Sequence, residues 1–184
     1  MVFRDRRGQR QQERETFGRG GSAVHYQMQQ RMVSIGDDFW IENDRGERAF
    51  KVDGKALRVR KTLVLEDANG AEQCRIQERM LHIRDTMEIE GPDGGRLATV
   101  KKALITPIRE RWSIDVAEGP DLEAKGNILD HEYTIEANGT KIAEVSKKWF
   151  RLRDTYGVEI APGQHDALIL AITVVIDTMS HASR

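Results

Sequence analysis

Cysteine is nearly absent from this 184-residue sequence. The single Cys74 has no partner within the chain, which excludes an intrachain disulfide framework and fits a reducing compartment. Long hydrophobic runs are missing too. The longest apolar stretch, Ala167 to Ile176, is interrupted by Thr173 and stopped by Asp177, well short of the ~20 residues a membrane-spanning helix needs. The first residues, MVFRDRRGQRQQERE, lack the apolar segment of a secretory signal. Together these absences predict a soluble, cytoplasmic protein with no transmembrane segment. An excess of one charge is also lacking: 29 Lys and Arg face 30 Asp and Glu, so bulk electrostatics nominates no partner. The motifs of common chemistries are absent as well. His131-Glu132 has no second His four residues on, as a zincin helix requires. No G-x-S-x-G elbow, P-loop or dinucleotide fingerprint occurs, and the ENDRGE segment lacks the ligand spacing of an EF-hand loop. The sequence nominates no catalytic residue, no metal ligand and no cofactor, and it reads as non-enzymatic.

What is present begins with a charged leader. Residues 1–22 hold six Arg (Arg4, Arg6, Arg7, Arg10, Arg14 and Arg19) against Asp5, Glu13 and Glu15. Few groups there can pack, so composition predicts a disordered leader over 1–22 and a single folded domain over 23–184. Arg19-Gly20-Gly21 resembles one RGG element, but a single copy is weak support for a nucleic-acid arm, and no nucleic-acid partner is expected.

From about residue 24 the chain repeats. Glu42, Glu66 and Glu90 are spaced by 24, and each precedes a turn closing on Gly46, Gly70 or Gly94, with Glu136-Ala-Asn-Gly139 a shortened fourth copy. Asn, Asp and Gly clusters between apolar alternations mark hairpin turns, because Gly and Asn tolerate positive φ. Six residues after each Gly stands Val52, Ile76, Val100 or Val145, and two residues before those stands Phe50, Cys74, Ala98 or Ala143. A period of two places these side chains on one inward face. The segments ahead of the turns repeat as well: Leu57-Arg-Val-Arg60, Leu81-His-Ile-Arg84 and Phe150-Arg-Leu-Arg153 each lead to a Thr two residues on. Six strand–turn–strand units give about twelve strands. Sandwich and barrel both suit such a chain, and the barrel is favoured because closure removes exposed edges.

So large a barrel needs a filler. After Pro162-Gly163, the segment from Asp166 to Met179 runs without Gly or Pro. Its length, and the spacing of Asp166, Thr173, Asp177 and Ser180 along one stripe, favour a buried helix, although its β-branched content would also allow a thirteenth strand.

At this point the residues resemble a known family. YQMQQRMVSIGDDFWIENDRGERAFKVDGKALRVRKTLVLED, HIRDTMEIE, KALITP, GNILDHEYTIE and the segment from Val145 to His181 are similar to a LURP-one-related domain over roughly residues 24–181. The resemblance implies a tubby-like fold: a mainly β protein, a twelve-stranded closed antiparallel barrel around a buried C-terminal helix. That fold is shared with tubby and the phospholipid scramblases. The resemblance carries over no catalytic residue, and these relatives point toward lipid or phosphoinositide binding.

One residue pattern is a candidate site. If Leu57 and Val59 face inward, Arg58 and Arg60 face out, and the repeat places Arg60, Arg84, Arg109 and Arg153 at equivalent positions. Equivalent strands lie about 9.5 Å apart around a barrel, a spacing that lets guanidinium groups share phosphate or carboxylate. Alternation along Lys147-Lys-Trp-Phe-Arg-Leu-Arg153 also leaves Lys147, Trp149, Arg151 and Arg153 facing out, three cations beside an interfacial ring. A solvated face with cross-strand carboxylate partners is the competing reading. The sequence therefore predicts a binding module for anionic phospholipid headgroups or another phosphorylated ligand, peripheral to a membrane. The alternative is a protein-interaction domain with a protein partner and no small-molecule ligand.

Overall fold

The computed structural model describes residues 3–18, 20–29, 38–55, 62–78, 86–102, 110–148 and 155–182. Helix α1 (Phe3–Thr16) is followed by twelve strands: β1 (Val24–Gln29), β2 (Phe39–Asn43), β3 (Arg48–Lys55), β4 (Thr62–Asp67), β5 (Glu72–Glu78) and β6 (Thr86–Glu90), then β7 (Arg96–Lys102), β8 (Glu110–Val116), β9 (Leu122–Asn127), β10 (Glu132–Ala137), β11 (Thr140–Ser146) and β12 (Thr155–Ile160). Helix α2 (Asp166–Ala182) ends the described chain. Every strand pairs antiparallel with its sequence neighbours, and β1 closes the barrel on β12 from Val24↔Ile160 to Gln29↔Thr155. The closed meander expected from the repeat is the observed architecture.

The inward face follows from the period of two. Val52 stands opposite Leu65, and Leu65 opposite Cys74. All three are fully buried, as are Ile76, Ala98, Val100, Ala143 and Val145. Phe50, equivalent to Cys74 in the repeat, is only half-buried and meets the Tyr26 ring edge-on at 5.8 Å between centroids. The repeat also has a structural signature. In β2, β4, β6 and β10 the pairing register shifts at Ile41/Glu42, Leu65/Glu66, Ile89/Glu90 and Ile135/Glu136. Each glutamate of the repeat marks a bulge, which adds local twist just before its turn. The glycine that closes each turn has a φ between 73° and 81°, a conformation that an L side chain adopts only at a cost.

Helix α2 runs inside this wall. It packs against β5, β6, β7 and β12, and Ile169 through Ser180 are buried without interruption. Such burial on all faces is what an almost wholly apolar helix requires, and it settles the helix-or-strand alternative in favour of the helix. Leu170, Ile172, Val175 and Ile176 are fully buried and each contributes about 1.5–3 kcal/mol.

The expectation of a disordered leader is corrected over Phe3–Thr16, which form α1. Arg, Gln and Glu lower packing potential, which motivated the disorder reading, but they are also good helix formers. Most of the helix from Gly8 onward is exposed. The segment after it is not. Phe17 is buried with Lys141 Nζ 4.4 Å from its ring centroid. The Gly18 N–H donates to Glu159 Oε2 at 3.1 Å, and His25 Nδ1 lies 3.1 Å from Glu159 Oε1. This strap covers the outer face of β12, whose six residues are all buried.

Candidate functional site

The antiparallel meander sorts its connections between two ends. At one end lie the glycine turns and the β8–β9 and β12–α2 links. At the other lie the paired strand ends Lys55↔Thr62, Glu78↔Met87, Lys102↔Trp112 and Gln29↔Thr155, together with the tight 128–131 turn. Of the candidate residues from the sequence, Arg60, Arg84, Arg109, Trp149, Arg151 and Arg153 lie outside the described residues. Lys147 is described and half-buried, just beyond β11 at this second end. Its backbone N–H donates to Glu132 Oε1 at 3.1 Å, and the Ser146 hydroxyl donates to the same carboxylate at 2.9 Å. Lys148, largely exposed, pairs with Glu132 Oε2 at 3.0 Å. One carboxylate on β10 thus shapes the exit of β11. Other cations near this end also have carboxylate partners: Arg111 lies 3.3 Å from Glu123 and Lys125 lies 2.6 Å from Glu136.

Just inside the same end is a polar cluster in an otherwise apolar interior. The 128–131 turn is built by Asn127, whose side-chain oxygen accepts the Asp130 N–H at 3.2 Å while its amide donates to Asp130 Oδ2 at 2.6 Å. That turn delivers His131 with φ +53°. His131 Nε2 lies 2.7 Å from Asp177 Oδ1 of α2, and both side chains are 2% exposed. The imidazole stacks on Tyr156 of β12 at 4.3 Å between centroids. Tyr133 of β10 interacts with Thr173 of α2, and burial followed by the Asp177 charge pushes its phenol well above the ordinary tyrosine range. Burial, Asp177 and Tyr133 push Tyr156 the same way. Both phenols therefore stay protonated and serve as hydrogen-bonding and packing groups. The cluster joins wall to helix.

The sequence displayed half of this arrangement. The polar stripe through Thr173 and Asp177 was visible in α2, but its partners were not. His131 lies 46 residues from Asp177 and carries no local motif. At the helix N-terminus a second wall-to-helix bond is made by Tyr26 of β1, whose hydroxyl donates to Asp166 Oδ2 at 2.7 Å. Cys74 faces α2 as well, with Sγ 3.9 Å from the Ala167 carbonyl, and burial followed by the Glu72 charge pushes the thiol up to about 12. Such a thiol is a packing group rather than a nucleophile. Among the described residues no three His, Cys, Asp or Glu side chains come together as a metal site, and no helix is long and apolar enough to cross a membrane.

A separate groove of about 550 Å³ lies between α1 and the turn end of the barrel. Gln9, Gln12 and Thr16 line one side, Thr140, Lys141 and Gln164 the other. Lys141 is already held by Glu144 at 2.7 Å and by the Phe17 ring.

Comparison with known proteins agrees with this architecture. Over 150 residues the chain is 25% identical to the uncharacterised protein YxjI of Bacillus subtilis (strain 168), covering 82% of this chain and 90% of that protein. An X-ray structure of a protein from Arabidopsis thaliana is similar with a TM-score of 0.64 at 18% identity, over 88% of this chain and 92% of the other. At that identity the likeness speaks for the fold. The sequence model of the LURP-one-related family matches residues 24–177, which takes in all twelve strands and most of α2. This chain belongs to the LURP-one-related family.

Proposed function

We propose that the barrel is a non-enzymatic binding module for anionic ligands, phospholipid headgroups foremost, and that it engages them at the end opposite its glycine turns. Membership of the LURP-one-related family and the closed barrel are compatible with a binding module. The observation that carries the reading is the sorting of charge by connection. The segments 30–38, 56–61, 79–85, 103–109, 128–131 and 147–154, which join strand ends at one end of the meander, contain eleven Lys and Arg against five Asp. The segments 44–47, 68–71, 91–95, 117–121, 138–139 and 161–165, which join strand ends at the other, contain one Arg against five Asp and Glu. Counted over the connections alone, charge thus differs between the two sets in a chain with almost no net charge, while the Arg-rich α1 lies beside the turn end. The proposed ligand-binding residues Arg60, Arg84, Arg109, Lys147, Trp149, Arg151 and Arg153 all belong to the basic set. Each surface cation contributes about 1 kcal/mol near an anionic leaflet, and clustering raises local ligand concentration.

Sedimentation with vesicles tests this. Binding to vesicles containing phosphatidylserine or phosphoinositide, absent with phosphatidylcholine alone, should weaken as salt screens the charges. An Arg151→Glu/Arg153→Glu variant should bind roughly tenfold more weakly or worse. Binding that is absent at low ionic strength, or unaltered by both salt and the reversals, defeats the anionic-ligand reading and leaves a protein partner as the alternative.

A further inference from the structure

We infer that the His131–Asp177 pair is a register lock: it fixes the depth and rotation at which α2 sits in the barrel. Apolar packing alone specifies that seat poorly. A slip of one helical turn, about 5.4 Å, puts Val174 where Leu170 was, Val175 where Ala171 was and Ile176 where Ile172 was. Each exchange swaps one buried apolar side chain for another. Much of the wall is aliphatic too, with Leu65, Ile76, Ile89, Val100 and Ile114 all fully buried alongside the larger Trp112 and Tyr156.

Two polar groups of the helix do not report its position. The Thr178 hydroxyl donates to the Val174 carbonyl at 2.8 Å and that of Ser180 to the Ile176 carbonyl at 2.6 Å. Both bonds lie within α2 and survive any movement of the helix as a body. Asp177 differs because its partner belongs to the wall. That partner is itself held: the turn geometry at Asn127 and Asp130, the positive φ of His131 and the stack on Tyr156 fix the imidazole. After a one-turn slip Asp177 would stand where Thr173 was, about a turn away from His131, its buried carboxylate facing the Tyr133 phenol in place of the imidazole, a placement that keeps the desolvation penalty and loses the pairing with His131. The other wall-to-helix interactions, the Tyr26–Asp166 bond and the Tyr133–Thr173 contact, act in the same sense. Tyr26–Asp166 lies at a half-buried end, and Tyr133–Thr173 joins two neutral hydroxyls. Fixing register is the best-attested use of a buried polar pair in an apolar core.

The test is a double-mutant cycle with His131→Leu and Asp177→Leu, read by urea unfolding and by amide hydrogen exchange. Each single variant strands the other group without this partner and should lower the folded-to-unfolded ratio roughly a hundredfold or more. The double variant should recover at least about tenfold of that loss, since two apolar groups replace a buried pair without orphaning either. Recovery should not extend to the seat. In the double variant the amides of residues 168–180 should exchange roughly tenfold faster or more, while those of the strands keep their protection. Should either single variant fail to fold, comparison of the double variant with the unaltered protein decides the matter alone. Unaltered exchange in α2 of the double variant overturns the lock. So do strictly additive losses in a complete cycle.

Discussion

The two ends of the barrel are built on different rules. At the turn end the backbone is specified residue by residue: a glutamate bulge, an Asn or Asp that ties the turn, and a glycine at positive φ. Asn43 and Asp67 show the device twice, each side-chain oxygen accepting two backbone N–H groups at 2.9–3.0 Å within its own turn. At the other end the described connection is the tight 128–131 turn, which Asn127 ties and which delivers His131 to the interior. Such a division lets connections vary at one end while tight hairpins hold register at the other.

The largest expected effect concerns the element both ends share. Removing residues 166–184 takes away α2 and should abolish cooperative thermal unfolding, because the wall then encloses no apolar filling. A truncated protein that melts cooperatively near the intact midpoint would show that the wall stands alone.

The ends then separate at two glycines. At Gly126, with φ +143° and toward the second end, an added Cβ would stand 2.5 Å from the Glu132 carbonyl oxygen and 2.7 Å from Tyr133 Cα. Backbone cannot yield cheaply, so Gly126→Ala should cost about 2–4 kcal/mol in urea unfolding. At Gly70, with φ +81°, an added Cβ meets nothing within 4 Å. Only the left-handed conformation opposes Gly70→Ala, which should cost about 1–2 kcal/mol. Equal costs would mean that close approach at Gly126 is relieved elsewhere.

A functional contrast sharpens the same comparison. Neutralising the turn end with Asp93→Asn/Asp121→Asn should leave vesicle binding within about twofold of the unaltered protein, since exposed charges beyond a Debye length are screened. A loss comparable to that of the Arg151/Arg153 reversals would place the binding surface elsewhere. Cys74 supplies the smallest signal. With its thiol raised to about 12, thiolate is scarce at pH 8, so a bulky alkylating reagent should label native protein at a negligible rate and unfolded protein readily. Rapid native labelling would contradict the inward register of β5.

What was legible in the sequence follows from locality. The turns at Gly46, Gly70, Gly94 and Gly139, the inward positions Val52, Ile76, Val100 and Val145, and the apolar stretch of α2 are all encoded within a few residues. They led to the barrel and its filler. α1 was missed because the same Arg, Gln and Glu residues satisfy both a disorder argument and a helix argument, and composition cannot rank them. Phe50 shows the limit of a repeat: an equivalent position near a barrel end is not an equivalent environment. The His131–Asp177 pair was half legible, since the interruption of α2 by Asp177 is local while its partner is not. The charge distribution was legible only after topology assigned each connection to an end. The repeat positions Arg60, Arg84, Arg109 and Arg153 themselves lie outside the described residues.

The seam between β1 and β12 has a kinetic consequence. The first strand finds one of its two neighbours only when the last has been made, so closure joins the most distant parts of the domain and raises its contact order. Slow folding is expected of such a topology. Because α2 follows β12 in the chain yet lies within the wall, its entry must precede or accompany the sealing of that seam. During vectorial synthesis the nascent meander therefore waits as an open, incompletely filled sheet, with β1 unable to mate until β12 arrives. Exposure of an unpaired edge for that interval is an aggregation hazard.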